Sequence, residues 1–254
     1  MIYKVKSSAG IITILIGFAI LLIVSVYYVF YRRNLLSIIN RYPEQSYIAH
    51  GGGAIDGYLY TNSLEAIENA INKGFKYIEL DLSLTADSFI VAAHDWDMFA
   101  QMTGYQSESG RPPTLREFEG CMIYDKYTPV TVEIIDSLFS ANPELVLVTD
   151  KLDDSRILSA QLPRLSGRVL IECFSIERYQ DALAYGWGMP MSSYVDLSPE
   201  SINVVNVKGK RYTWAGIFPM TFALYGKERC TRRDADSIFA LDPRVRFVYV
   251  DIVE

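Results

Sequence analysis

Hydrophobic and polar positions along most of the chain follow the pattern of short buried strands separated by amphipathic helices. From residue 47 onward, strand-like apolar runs of four to nine residues recur, and most are followed by a segment with helical spacing. The predicted strands are 47–50, 77–82, 89–95, 144–150, 168–174, 189–195, 215–220 and 245–253. The predicted helices are 63–74, 130–142, 154–162, 176–186, 198–207 and 233–241.

This alternation predicts an α/β fold. Eight strands in about 208 residues, mostly separated by helices, favour a parallel sheet closed as a (β/α)8 TIM barrel. An open, doubly wound parallel sheet is the structural alternative. No internal repeat or low-complexity tract interrupts the pattern, so we expect residues 47–254 to form one barrel domain.

The N-terminal segment has a different pattern, because it lacks the polar positions of an amphipathic helix. Lys6 and Arg32 enclose 25 residues without a charge. A bilayer core of about 30 Å needs about 20 helical residues, so we expect a single transmembrane helix over about 9–31. The predicted organisation is an anchor over 1–33 and a juxtamembrane linker over 34–46.

A cleaved signal peptide is the alternative reading of this segment. The apolar stretch of a signal peptide is usually shorter and ends in small residues, whereas this one ends in tyrosines. The chain is therefore expected to be a single-pass membrane protein. Basic residues flank both ends of the segment, so the side of the membrane that holds the barrel stays open.

The charge of the chain argues against a nucleic-acid partner. The formal net charge is -6, and the first forty residues contribute four positive charges and no acid. The remainder carries about ten negative charges in excess, whereas a phosphate backbone needs a basic face. The three widely spaced cysteines suit neither a disulfide framework nor a zinc site.

Four polar residues at predicted strand ends suggest chemistry. The chain has only two histidines, His50 and His94, and each closes a predicted strand. Strand C-termini surround the active site of a parallel barrel, so both are candidates for one catalytic mouth. Glu79 and Asp81 alternate along one strand and so share a face. Two buried carboxylates need a partner, and Mg²⁺ or Ca²⁺ prefers such oxygen ligands.

Neighbouring residues extend this candidate site. Asp150 also ends a predicted strand and is a possible third acid. Gly51 and Gly52 follow His50 and would let a backbone approach an anion closely. Trp96, just after His94, either lines a substrate pocket or packs in the core.

The segment 47–95 contains five short elements in a fixed order: His-x-Gly, Asn-Ser-Leu, Glu-x-Asp, Thr-x-Asp and His-Asp. In this order and spacing they resemble the signature of the glycerophosphodiester phosphodiesterase family. Their positions here are His50 with Gly52, Asn62-Ser63-Leu64, Glu79 with Asp81, Thr85 with Asp87, and His94-Asp95.

The resemblance implies a barrel with metal-dependent phosphodiesterase activity on a glycerophosphodiester or a lipid head group. It makes two histidines the catalytic pair and three carboxylates the ligands of Mg²⁺ or Ca²⁺. The implied catalytic residues are His50 and His94, the implied metal ligands are Glu79, Asp81 and Asp150, and the expected substrate-binding residues are Gly51, Gly52, Asn62 and Trp96.

Two departures from the family pattern affect this expectation. The usual His-Arg-Gly is His50-Gly51-Gly52, so an arginine expected near the phosphate is missing. The usual acid-x-Lys of the fourth strand is the run 149–151, Thr-Asp-Lys, in which acid and lysine are adjacent. A one-residue displacement turns a strand side chain to the opposite face, so either residue 149 or residue 150 holds the third-ligand position.

Four other functions remain compatible with the sequence. One is a noncatalytic, membrane-anchored binding protein on the same barrel. Another is a phospholipase D-like enzyme acting on lysophospholipids. A glycosidase would use a carboxylate pair with neither metal nor histidines. A phosphatidylinositol-specific phospholipase C resembles the motif spacing less well.

Overall fold

The computed structural model describes residues 7–41, 44–107, 110–187, 190–193, 201–206 and 221–253. The strands are β1 (Ser46–Ala49), β2 (Tyr77–Glu79), β3 (Leu82–Leu84), β4 (Ile90–Ala92), β5 (Val146–Thr149), β6 (Val169–Cys173), β7 (Met191–Ser192), β8 (Ile202–Asn206), β9 (Thr221–Tyr225) and β10 (Val245–Val250). The helices are α1 (Ser7–Arg41), α2 (Leu64–Asn72), α3 (Trp96–Thr103), α4 (Leu115–Glu119), α5 (Val132–Ala141), α6 (Ser155–Gln161), α7 (Ile176–Ala184) and α8 (Arg232–Leu241). Short 3₁₀ turns occupy His50–Gly52 and Pro163–Leu165.

Eight of these strands close into a barrel in the order β1-β10-β9-β8-β7-β6-β5-β2, and every neighbouring pair is parallel. The predicted (β/α)8 barrel is therefore confirmed, and the open sheet is excluded. Side chains alternate between two apolar cores, one inside the barrel and one between strands and helices. The interior core contains Ile48, Val148, Leu170, Met191, Ile202, Val204, Ala223, Phe247 and Tyr249.

Helix α2 shows how the local sequence builds the outer layer. Ser63 caps its N-terminus by accepting a hydrogen bond from the backbone N–H of Ala66. Ala66, Ile67 and Ala70 form its buried face, with the spacing of one helical stripe. Helices lie within five of the six predicted helical segments, including 63–74.

The predicted strand at 89–95 is wrong as a barrel strand. The run 77–82 breaks after Glu79, and β3 and β4 pair antiparallel as a separate hairpin. Val91 packs in a cluster with Phe99 and Phe118, whereas Ile90 belongs to the main core on the opposite side. Burial on both faces produces a continuous apolar run, which is also the pattern of a parallel barrel strand.

The predicted helix at 198–207 is also wrong, because β8 lies within it. Ile202 and Val204 point into the barrel, while Val205 packs in the outer core. β-branched residues buried on alternate faces favour a strand over a helix. The predicted strand 215–220 lies outside the described residues, and β9 begins directly after it. Helices α3 and α4 were not predicted.

Helix α1 is longer than the predicted transmembrane segment and continues through 34–41 of the predicted linker. Its portion Gly10–Arg33 is long and apolar enough to cross a membrane, a property that a signal sequence shares. The apolar side chains of this portion are exposed; Leu22, for example, is 66% exposed. β1 begins at Ser46, five positions after the last residue of α1.

Candidate active site

The carboxyl ends of the barrel strands bring together polar side chains that are distant in the sequence. Strand alternation, or the first residues after a strand, places them at the same opening. These residues are His50 after β1, Glu79 on β2, Asp150 after β5, Glu172 on β6, Tyr225 on β9, and Tyr249 and Asp251 on and after β10.

Three carboxylates form a compact cluster at this opening. Each of Glu79, Asp81 and Asp150 offers an oxygen atom, and the three atoms lie within 4.8 Å of one another. Glu79 and Asp81 are buried, with exposed fractions of 1% and 3%. Like charges this close repel strongly in a desolvated site. An all-oxygen set of three carboxylates is the ligand chemistry of Mg²⁺ and Ca²⁺.

Burial and the neighbouring carboxylates raise the pKa values of two of these acids. Burial, followed by the charges of Asp81 and Asp150, raises the pKa of Glu79 well above its usual 4.5. Burial, followed by the charge of Asp81, raises the pKa of Asp150 from 3.8 to about 7. Without a cation, the folded site therefore favours protonated carboxyl groups.

Backbone and amide groups orient two of the acids. The backbone N–H of Gly51 donates to Glu79 Oε2 at 2.6 Å. The side-chain amide of Asn62 donates to Asp81 Oδ2 at 2.9 Å and accepts from the Asp81 backbone N–H at 3.0 Å. Asn62, predicted to bind substrate, is thus a partner of Asp81 here, and its predicted substrate contact stays a prediction.

Asp150 supplies an acceptor that has no donor. Its buried Oδ1 atom has no hydrogen-bond partner among the residues that the structure describes. A buried acceptor without a partner costs free energy, which a bound cation would recover. The donor set, its spacing and this free acceptor therefore fit a divalent ion.

The side-chain alternation along β5 decides whether residue 149 or residue 150 lies in the acid cluster. Val146 and Val148 pack inside the barrel, whereas Leu147 packs between the barrel and the helices. Thr149 follows the alternation of Leu147 and points away from the interior. Asp150, not Thr149, joins the acid cluster.

The stability of the metal-free protein is expected to fall as the pH rises from about 4 to about 8. Glu79 and Asp150 have raised pKa values in the folded state, so in this range the folded state binds more protons than the unfolded state. Mg²⁺ or Ca²⁺ should therefore raise the melting temperature more at about pH 8 than at about pH 5. Thermal unfolding in EDTA and in each cation tests this. A metal-free melting temperature that rises over this range would contradict it.

Gly51 has a geometry that leaves no room for the arginine expected at this position from the family resemblance. Its φ is 56°, and a Cβ added there would lie 2.7 Å from the Tyr60 Cα atom. The Tyr60 ring instead contacts the His50 ring edge-on, with a centroid distance of 4.7 Å. A larger residue at position 51 would require Tyr60 to move, so Gly51 and Tyr60 fit one another.

His50 is oriented by a buried aspartate from the other end of the chain. His50 Nδ1 lies 2.7 Å from Asp251 Oδ1, and Asp251 is 4% exposed. The backbone N–H of Cys230 donates to the other Asp251 oxygen at 2.8 Å. An Nδ1–H donated to this carboxylate leaves Nε2 of the neutral imidazole as the proton acceptor.

Three tyrosine rings surround His50. Beside Tyr60, the rings of Tyr225 and Tyr249 lie with their centroids 5.3 and 5.5 Å from the His50 ring. A cavity of about 160 Å³ opens next to these rings. It is lined by His50, Tyr60, Tyr225, Gly226, Lys227, Glu228, Tyr249 and Asp251.

Replacing Asp251 by asparagine is expected to lower kcat for the expected phosphodiester hydrolysis by roughly 100-fold, with a smaller change in KM. Asparagine keeps the size of the side chain but can offer an N–H to Nδ1, which favours the wrong tautomer of His50. Asp125→Asn, at an exposed position, is the matched control. Steady-state kinetics of both variants check the expectation. Equal activity of the two variants would show that Asp251 does not orient His50.

His94 lies outside the barrel proper, in contrast to the expectation that it ends a barrel strand. It follows the β3–β4 hairpin, which is tied to the acid cluster because the backbone N–H of Ala93 donates to the Asp81 carbonyl at 2.7 Å. His94 Nδ1 lies 2.7 Å from Asp95 Oδ2, and both side chains are exposed. Asp95 also caps α3 by accepting from the Met98 backbone N–H.

Trp96 makes packing contacts in this structure. Its ring meets Phe99 and Phe118 edge-on, with centroid distances of 5.9 and 6.5 Å. These contacts belong to a small apolar cluster beside the hairpin. Its predicted substrate contact, like the catalytic role of His94, remains a prediction.

The comparisons with known proteins agree with this fold and identify the family of the chain. The sequence model of the glycerophosphoryl diester phosphodiesterase family matches residues 52–201, more than half of the chain. The fold and the site thus define a phosphoric diester hydrolase on a TIM barrel. The chain belongs to the glycerophosphoryl diester phosphodiesterase family. A comparison with curated proteins gives no significant sequence match.

Solved structures of similar fold include other phosphodiesterases. A glycerophosphodiester phosphodiesterase from Parabacteroides distasonis is 17% identical, with a TM-score of 0.61 over 82% of this chain and 94% of that chain. An Oleispira antarctica phosphodiesterase, in complex with the product sn-glycerol-3-phosphate, is 17% identical, with a TM-score of 0.60 over 81% of this chain and 92% of that chain. At this identity the similarity supports the fold alone.

Proposed function

We propose that the protein is a membrane-anchored, divalent-cation-dependent enzyme that hydrolyses glycerophosphodiesters. The observation that carries the proposal is the acid cluster Glu79, Asp81 and Asp150 at the same barrel opening as the His50–Asp251 pair. Anionic carboxylates alone would repel a phosphodiester. A cation held by them would attract its phosphoryl oxygen and stabilise the charge that develops on phosphorus.

His50 acts as the general base or the nucleophile in this proposal. Asp251 accepts from Nδ1, so Nε2 can take the proton of the attacking water or substrate hydroxyl, or attack phosphorus directly. Asp251 also stabilises the imidazolium that proton transfer creates. His94 is assigned as the general acid that gives its proton to the departing alkoxide, with Asp95 orienting its ring.

Among the residues that the structure describes, Lys151 places a positive charge beside the acid cluster. Gly51 stands where the family has an arginine. Lys151 Nζ lies 3.9 Å from Asp150 Oδ2 and is partly exposed, so it is available at the edge of the cluster. In this proposal the cation and Lys151 attract the phosphate, and Gly51 and Gly52 offer a close backbone approach.

The organisation that we propose follows the predicted boundaries. Residues 1–33 form the anchor, 34–46 the juxtamembrane linker and 47–254 the catalytic barrel. The exposed apolar face of Gly10–Arg33 supports a membrane location, because water would otherwise contact the whole segment.

The test is an activity screen of the full-length protein in detergent against glycerophosphodiesters and lysophospholipids, with EDTA and with Mg²⁺ or Ca²⁺. We expect cation-dependent release of glycerol 3-phosphate and a free alcohol. Release of a lysophosphatidic acid would indicate the phospholipase D-like alternative instead. Absence of turnover, together with cation binding, would support the noncatalytic binding protein.

A further inference from the structure

Glu172 is a carboxylate inside the barrel that does not belong to the acid cluster. It is 2% exposed and lies on the same face of β6 as the interior residue Leu170. Both of its oxygens accept hydrogen bonds from neutral hydroxyl groups. Ser193 donates to Oε1, while Tyr225 and Tyr249 donate to Oε2 at 3.2 and 3.4 Å.

This environment suits a carboxylate in particular. An ionised carboxylate is a pure acceptor, so it can receive all three hydroxyl hydrogens at once. Burial raises the pKa of Glu172, and the three hydroxyl bonds oppose that rise. Glu172 is not a member of the cluster whose oxygens lie within 4.8 Å of one another, which comprises Glu79, Asp81 and Asp150. Its bonds instead connect β6 with β9, β10 and the end of β7.

The two tyrosines that donate to Glu172 are two of the three whose rings contact His50. Their rings stack on each other with a centroid distance of 4.0 Å and an angle of 14°. Both rings also pack against the His50 ring. The stack thus limits rotation of the imidazole away from Asp251, and Glu172 fixes the hydroxyl ends of the stack.

We propose that Glu172 is a positioning residue of the active site, which anchors the Tyr225–Tyr249 stack and through it holds His50 in line with Asp251. The kinetic part of this inference rests on the proposed function. The structural part concerns the His50 ring alone and is measurable without any substrate.

The experiment uses the histidine side-chain NMR signals of the full-length protein in detergent. The chain has two histidines, so the spectrum of His94→Ala assigns both. Glu172→Leu, which removes the acceptor, should shift and broaden the His50 signal and leave the His94 signal unchanged. Glu172→Gln keeps one acceptor oxygen and should preserve most of the wild-type signal. Glu144→Gln, at an exposed position, is the matched control.

Activity gives the second readout. We expect kcat to fall roughly tenfold in Glu172→Leu and to stay within about threefold of wild type in Glu172→Gln. The loss of cation affinity in Glu172→Gln should stay well below the roughly 100-fold expected for a lost ligand. Tyr249→Phe, which keeps the ring, covers the case in which Glu172→Leu does not fold; it should shift the same His50 signal. An unshifted His50 signal in a folded variant, or a roughly 100-fold loss of cation affinity in Glu172→Gln, would overturn the inference. Inactive wild-type protein with the expected NMR shifts would overturn only the proposed function.

Discussion

Replacing His50 by alanine is expected to reduce kcat for glycerophosphodiester hydrolysis by about 1,000-fold or more. The substitution removes the group that takes the proton or attacks phosphorus. It leaves the acid cluster and the barrel strands in place. His50 lies at the rim, in the turn that follows β1, so the variant should still fold.

The double variant His50→Ala with Asp251→Asn tests whether Asp251 acts through His50. If Asp251 acts only through His50, then Asp251→Asn should cause little further loss when His50 is already alanine. Kinetics of wild type, both single variants and the double variant measure this coupling. Retained turnover in His50→Ala would remove His50 from the mechanism, and additive losses would separate Asp251 from it.

Replacing Glu79 by glutamine is expected to weaken cation binding by roughly 100-fold and to lower activity by a similar factor. The amide has nearly the same size but carries no charge, so the cluster loses attraction for a cation. The same change should stabilise the cation-free protein near neutral pH. It removes a buried carboxyl group whose pKa burial and the neighbouring acids raise. Calorimetric titration with Mg²⁺ or Ca²⁺ and thermal unfolding in EDTA measure the two effects.

Two control substitutions make this prediction specific. Glu68→Gln on the exposed side of α2 repeats the chemical change away from the site and should alter neither property. A comparison of the single variants Thr149→Val and Asp150→Asn tests the register of β5, since only Asp150 points into the cluster. A cation affinity that Thr149→Val weakens and Asp150→Asn spares would contradict the placement of the third acid.

The sequence was sufficient to predict the barrel and the acid cluster because both depend on local patterns. Alternation along residues 77–81 puts Glu79 and Asp81 on one face, and the end of an apolar run marks Asp150. The same reasoning could have identified Glu172, since it is the only charged residue between the ends of the apolar run 169–174. Glu172 lies outside the family motif of residues 47–95, so the resemblance does not mark it.

Other features could not be predicted because they depend on contacts between distant segments. The His50–Asp251 bond joins residues 201 positions apart, and no local pattern marks Asp251 as a partner. The segment 89–95, which contains β4, has the pattern of a barrel strand because neighbouring elements cover both its faces. The contact between Gly51 and Tyr60 depends on backbone angles that residue types alone do not specify.

The point at which α1 joins the barrel has a consequence for access to the site. β1 runs from Ser46, next to the tether, towards His50 at the opposite end. Residues 34–41 continue α1 beyond its membrane-crossing portion, and the four residues 42–45 reach at most about 14 Å, so the N-terminal end of β1 stays close to the end of α1. With α1 in a bilayer, the opening at the carboxyl ends of the strands would face the surrounding water. Dissolved head-group esters would then reach the acids more readily than intact lipids of the same leaflet.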